Sequence, residues 1–202
     1  MLKIQCFAPK DYFGANTYLL SSDGEFAVID PSVSYSSVAS AVPELGRVKY
    51  VLLTHGHFDH ILKLSEWAER ADEVIVGVGD APMLSDEYLN CYLGFLGVKD
   101  GYYGRYSVGV EGDVLVLGDD TVEVREFPGH TPGGLGFRIG ESLFVGDTVF
   151  ADGGYGRCDL PGGDETRLEQ SLIKLFTHEA DCILYPGHGK SQWLHDAIKF
   201  FM

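Results

Sequence analysis

No apolar run in this 202-residue chain reaches the roughly 18 residues that a membrane-spanning helix needs, so no spanning segment is expected. The amino terminus, Met1-Leu2-Lys3-Ile4-Gln5-Cys6-Phe7, alternates like a strand and lacks the apolar core of a signal peptide, so the mature protein is expected to be the whole chain. Basic residues are scarce: 15 Lys plus Arg stand against 30 Asp plus Glu, a formal charge of −15. That balance argues against partners such as nucleic acid or an anionic membrane, both of which need a basic surface. Cysteine is scarce as well. Cys6, Cys91, Cys158 and Cys182 lie far apart, which reads as reduced thiols of a cytoplasmic protein and not as a disulfide framework. Cys6 and Cys182 sit in apolar strand-like runs and are expected in the core. Low-complexity linkers are absent, and 45% hydrophobic with 22% charged residues is ordinary for a globular chain. One domain, 1–202, is expected.

What is present is concentrated in one stretch. Thr54-His55-Gly56-His57-Phe58-Asp59-His60 holds three of the chain's 7 histidines beside a carboxylate. It follows an apolar run, 48–53, that reads as a buried strand, and precedes 61–70, whose apolar positions recur at helical spacing. The cluster therefore belongs in a strand-to-helix turn at the carboxyl end of a strand, where crevices form and ligands bind. His55 and His57 are two apart, so in an extended turn their rings leave the backbone on the same side and can share one metal. Asp59 and His60 are adjacent and point elsewhere, toward a second metal. Gly56 lets the backbone bend between ligands. Imidazole and carboxylate without thiolate suit zinc, iron or manganese. The plain alternative is a solvated polar turn, but so dense a grouping from so few histidines argues against it.

Short strands are expected over 2–7, 18–20 and 26–29, with Ser22-Asp23-Gly24 as a turn. A weak helical pattern over 33–45 is broken by Pro43, and a buried strand is expected over 73–78. Residues 79–109 follow no clear period and hold Tyr88, Tyr92, Phe95, Tyr102, Tyr103 and Tyr106, either as a lid packed on itself or as a wall of a substrate pocket. Strand pairs follow over 114–117 and 122–127, then 135–139 and 143–145, each pair joined by a glycine-containing hairpin turn. A helix capped by Asp164 spans 165–176, a strand 182–185 and a last helix 191–200. Strands then helices, twice over, with halves meeting near residue 105, imply two facing sheets with helices outside.

Three more candidate ligands stand at strand ends: His130 in Pro128-Gly129-His130, Asp147 in Gly146-Asp147-Thr148, and His188 in Pro186-Gly187-His188. Together with the first cluster, five histidines and two aspartates suit a two-metal site. The order His-x-His-x-Asp-His, then His, Asp and His, resembles the metallo-β-lactamase superfamily from about Asn16 to Gly189. The resemblance implies an α+β fold, the αβ/βα four-layer sandwich. It implies one metal on His55, His57 and His130, another on Asp59, His60 and His188, and Asp147 bridging them. His178 and His195 match nothing in the motif and read as surface or helix-packing residues. Gly146-Asp147-Thr148-Val149-Phe150 and Gly156-Arg157-Cys158-Asp159 are similar to the glyoxalase II branch, which hydrolyses thioesters such as hydroxyacyl-glutathione. From His188 to Met202 there is room for one helix and not for the C-terminal domain by which glyoxalase II proper binds glutathione. The small single-domain members are the closer match.

The resemblance thus implies a metal-dependent hydrolase of a small-molecule thioester. Two divalent ions, zinc by first expectation and Fe2+ or Mn2+ as alternatives, would share a bridging water and lower its pKa from near 16 to about 7. Asp59 and Asp147 are the candidate catalytic carboxylates. A thiolate, with a free pKa of about 8.5, departs without a general acid, which mildly favours a thioester or lactone over an amide. Arg157 is the candidate substrate-carboxylate clamp, with a structural salt bridge as its alternative. For Cys158, packing is favoured over oxidation or metal contact. The competing readings are a mononuclear iron persulfide dioxygenase using His55, His130 and Asp147, a lactone or β-lactam hydrolase, and a scaffold with a dead site. The last is disfavoured because no ligand is missing. Homo-oligomer formation is left open.

Overall fold

The computed structural model describes residues 1–9, 14–179 and 181–201. Its first sheet begins as an antiparallel meander of β1 (Lys3–Phe7), β2 (Thr17–Ser22) and β3 (Glu25–Ile29). Asp23 and Gly24 join β2 to β3, both at positive φ (44° and 81°), the backbone that matches strand twist in a two-residue hairpin. Parallel strands then extend the sheet: β4 (Val48–Leu52), β5 (Ala71–Gly77) and β6 (Ser107–Gly109). Parallel strands are covered on both faces, and Ala27, Val28, Ile29, Val51 and Leu52 are accordingly inaccessible to solvent. The second sheet comprises β7 (Val114–Leu117), β8 (Asp120–Glu126), β9 (Leu135–Ile139) and β10 (Ser142–Gly146), all antiparallel. Next come β11 (Ile183–Pro186), parallel to β10, and the short β12 (Gln192–Trp193).

Three apolar cores separate four layers. Outside the first sheet, α1 (Tyr35–Ala41), α2 (Phe58–Ile61), α3 (Leu64–Ala68) and α4 (Tyr92–Leu96) pack over Val28, Val51 and Val76. Between the sheets, Leu20, Ile29 and Leu52 meet Phe137 and Phe144. Phe144 stacks on Tyr185 at 4.7 Å and meets Tyr18 edge-on at 5.1 Å; truncating so buried a phenylalanine to alanine costs about 3–5 kcal/mol. Outside the second sheet, α5 (Glu165–His178) and α6 (Leu194–Ile198) cover Leu143, Val145 and Leu184. This is the α+β metallo-β-lactamase arrangement that the sequence motifs imply.

Several local expectations change. The helix expected over 61–70 is two short ones, α2 and α3, and the last helix starts at Leu194 because Gln192 and Trp193 pair with β11 as β12. The first sheet runs on through β6, so the halves divide between residues 109 and 114. Cys6 is exposed, not core: it shares the face of Leu2 and Ile4, which pack on the between-sheet core, but β1 is an edge strand and leaves Cys6 uncovered. Cys182 is buried as expected. Cys158 is half-buried and packs against the third core. Asp164 caps α5, accepting from the Arg167 backbone N–H at 3.0 Å. Among the described residues no helix is long and apolar enough to cross a membrane.

Candidate metal centre

The carboxyl ends of β4, β8, β10 and β11 face the same end of the sandwich. The two sheets are tied together there by backbone hydrogen bonds: Leu135 N to Thr54 O at 2.7 Å, and Asn16 N to Gly187 O at 2.7 Å. Four loops consequently deliver seven side chains to one point. His55 and His57 leave β4 in extended backbone; Asp59 and His60 occupy the first turn of α2. His130 follows β8, Asp147 follows β10, and His188 follows β11. All seven residues singled out in the sequence are brought together. They form three overlapping triads, His55–His57–His130, His55–His60–Asp147 and Asp59–His60–His188, whose ligand-capable atoms lie within 4.8 Å of one another.

Hydrogen bonds orient the rings. His130 Nδ1 donates to the Arg157 carbonyl at 2.7 Å, which leaves Nε2 as a lone-pair donor, 3.0 Å from His57 Nδ1. His60 Nδ1 donates to Asp30 Oδ2 at 2.8 Å, so its Nε2 faces Asp147 Oδ1 at 3.3 Å. His188 Nε2 lies 3.1 Å from Asp59 Oδ2 and 3.6 Å from Asp147 Oδ2. Gly187 is required here, since a Cβ would overlap Asp147 Oδ1 and His60 Cε1.

The electrostatics fit a cation. Burial drives His55 well below the ordinary imidazole value and brings His57 to about 3, so both rings are neutral donors. His60 goes the other way: burial opposes a proton, but Asp30, Asp59 and Asp147 together hold one well above the ordinary value. Burial pushes Asp147 up, but the positive charge of His60 beside it outweighs that and holds the carboxyl below its usual range. Among the described residues, the side-chain polar atoms left buried without a hydrogen-bond partner are His55 Nε2, His57 Nε2, His60 Nε2 and Asp147 Oδ1. Buried polar atoms without partners are costly, and four in one cluster are what divalent cations would satisfy. Neutral imidazoles and carboxylates without thiolate are the donor set of zinc, iron or manganese.

The cluster floors a cavity of about 440 Å³ whose walls include Phe58, Cys91, Phe95, Phe150, Tyr155 and Leu160. Of the tyrosine-rich stretch, Tyr92 and Tyr102 are core residues, Tyr88 and Tyr103 are exposed, and Phe95 reaches the cavity. Arg157 also reaches its rim, but the Nε–Nη2 edge of its guanidinium engages both oxygens of the Asp159 carboxylate, Nε at 2.6 Å from Oδ1. A larger groove of about 690 Å³ runs past Lys49, Glu73 and Ser107, at the opposite ends of the strands from the histidines. His178 is exposed, and His195 is an exposed partner of Asp181 at 2.8 Å.

A metallo-β-lactamase superfamily model matches residues 11–188. The chain belongs to the metallo-β-lactamase superfamily. It is similar to a hydroxyacylglutathione hydrolase of Haemophilus influenzae, 32% identical over 188 residues that span 90% of this chain and 88% of the relative. The crystal structure of a B3 metallo-β-lactamase superposes with a TM-score of 0.85 at 26% identity, covering 98% of this chain and 97% of that one. A protein solved in a di-iron-bound form superposes at 0.81 and 26% identity, covering 99% and 100%. The coarse function follows: this is a metallo-hydrolase of the superfamily, whose members bind divalent metals.

Two residues that sequence reasoning missed support this metallo-β-lactamase site. Asp30 is buried in left-handed backbone (φ 51°) and accepts from Thr54 N at 2.8 Å, Thr54 Oγ1 at 2.6 Å and His60 Nδ1. Asp80 is fully buried and accepts from Gly56 N at 3.0 Å, Thr131 Oγ1 at 2.7 Å and Gly133 N at 2.6 Å. Asp80 thereby braces the His55-Gly56-His57 turn against the His130 loop. The available signal was the Asp30-Pro31 stop after an apolar strand. Asp80 lies in the stretch without a period and offered none.

Proposed function

We propose that the protein hydrolyses thioesters. The observation that carries the thioester part is the 32% identity, across nine-tenths of the chain, to a hydroxyacylglutathione hydrolase. His55, His57 and His130 would hold one divalent cation, Asp59, His60 and His188 a second, with Asp147 between them. Zinc is the proposed metal; the relative solved with two irons keeps iron as the alternative. Bound there, such cations supply Lewis acidity toward a carbonyl and a nucleophilic water at neutral pH.

The chain's own residues do the rest. Phe58, Phe95 and Phe150 line the cavity and keep bulk water from the reacting carbonyl. His130, locked by the Arg157 carbonyl, and His60, locked by Asp30, are set before substrate arrives. Asp59 lines the cavity, its Oδ2 3.1 Å from His188 Nε2, and is the carboxylate that would take a proton from the attacking water and pass it outward. The departing thiolate needs no proton, having a free pKa of about 8.5. That suits a cavity whose described walls offer no carboxylic acid or imidazole outside the cluster. The test is thiol release from a thioester panel by metal-loaded and chelator-stripped protein. Release that depends on metal supports the reading. Metal-loaded protein that cleaves a lactone or β-lactam but no thioester overturns it.

A further inference from the structure

Two aromatic walls of the metal cavity stand on one loop, between Asp147 and Arg157. Phe150 faces the His188 ring at 6.1 Å, and Tyr155 lines the cavity five residues on. The stretch between them closes on itself. Phe150 N donates to Gly154 O at 2.8 Å, Gly153 N to Phe150 O at 3.1 Å, and Gly154 N to Asp152 Oδ1 at 3.1 Å. Beyond Tyr155 the chain is tied to the metal cluster: Gly156 N donates to Asp147 O at 2.7 Å, and the Arg157 carbonyl accepts from His130 Nδ1. The turn itself has no such tie. Among the described residues, the hydrogen bond that joins it to another element is a long one, Gln192 Nε2 to Phe150 O at 3.4 Å.

Apolar packing supports the turn instead. After α6 the chain makes a further turn, with Phe200 N donating to Ala197 O and Phe201 N to Ile198 O, which sets two phenylalanines against the loop. Gly153, at φ 80°, lies so close that a Cβ there would overlap Phe200 Cβ. The Phe201 ring meets Tyr155 at 6.3 Å and Phe176 of α5 at 5.0 Å. Phe176 and α6 pack in the third core, through Leu194 and Ala197 in the case of α6. A continuous apolar path thus joins that core to the cavity wall. Tyr155 needs such a stop, because its ring borders two hollows. One is the metal cavity; the other, of about 420 Å³, is lined by Leu168, Leu172 and Phe201. Without the Phe201 ring the second hollow widens, and Tyr155 has room to leave its rotamer and turn away from the metal ligands.

We infer that Phe201, with Phe200 beside it, is a positioning residue for substrate binding: it holds Tyr155 and the 150–154 turn against the metal cavity without itself touching substrate. This rests on the reading of that cavity as the substrate site, so one readout is independent of turnover. Metal-loaded wild type is compared with Phe201→Ala and with Phe201→Leu, which keeps apolar bulk. Phe201→Ala is expected to speed amide hydrogen exchange over residues 150–155 at least tenfold while exchange in β10 and β11 stays within twofold. On a cleaved thioester its KM should rise at least fivefold, with kcat within twofold and metal content unchanged, the pattern of lost binding and not of lost chemistry. Phe201→Leu should stay within twofold of wild type in both exchange and KM. Wild-type exchange in Phe201→Ala, or equal KM in the two variants, overturns the inference. A KM rise that comes with metal loss overturns it too, since the fault would then lie at His130 and not at the wall. If wild-type protein cleaves no thioester, the thioester reading fails and the exchange alone decides the inference.

Discussion

Replacing Asp30 with asparagine preserves shape but reverses one hydrogen-bonding group. Asn is tolerated in left-handed backbone, so the φ of 51° survives. The wild-type carboxylate accepts three hydrogen bonds, from Thr54 N, Thr54 Oγ1 and His60 Nδ1. An amide has one accepting oxygen. If its NH2 faces His60, Nδ1 must become the acceptor and the proton moves to Nε2, the atom that points at Asp147. Disturbing such a partner of a metal-binding histidine costs about 10–100-fold in metal affinity. If the NH2 faces Thr54 N–H instead, a buried donor loses its acceptor, at about 1–3 kcal/mol of stability. Asp30→Asn is thus expected either to weaken the metal by at least tenfold or to lower the melting temperature of the metal-free protein. Competition against a chelator and thermal unfolding read the two outcomes. Metal affinity within twofold of wild type together with an unchanged melting temperature would refute the argument.

Gly187→Ala drives a methyl into Asp147 Oδ1 and His60 Cε1 and should abolish metal loading. Gly189→Ala, at φ 81° with open space around it, should cost only roughly 1–2 kcal/mol of strain in a denaturant titration and leave metal content intact. Asp159→Asn frees the Arg157 guanidinium and should lower KM several-fold for anionic thioesters while leaving neutral ones unchanged; equal kinetics for both classes would remove Arg157 from substrate reach. For pH, the sign follows from His60. Its raised value in the metal-free protein means that the proton stabilises that form below the ordinary value of 6.5 and is lost as pH rises through the folded value. A metal must displace that proton, so affinity measured by metal titration should climb with pH and fall on acidification.

The site was legible because its residues are chemically marked. Five histidines and two aspartates at strand ends carry their own signature, and Gly187 beside His188 already signals close backbone approach. The roles of Asp30 and Asp80 were not legible: the Asp30-Pro31 stop marks a strand end, but a buried aspartate differs from a solvated turn aspartate only in what lies across space. Asp80 bonds Gly56, Thr131 and Gly133, which no local pattern links to it. In the fold, strands of four or more residues declared themselves by their apolar runs. The three residues of β6 and the two of β12 are too short to show a period. Cys6 illustrates a separate limit: alternation puts it on the core-packed face of Ile4, but how far that face is covered depends on β1 being an edge.

The account's central claim is that these seven side chains together hold two divalent cations. Elemental analysis of the protein purified from metal-replete medium, in parallel with Asp147→Asn, tests it most directly. The account predicts about two metal ions per chain in wild type, as a two-metal hydrolytic site requires, and a reduced count with no thiol release in the variant. Wild-type protein without metal, or an Asp147→Asn variant as active as wild type, would contradict it.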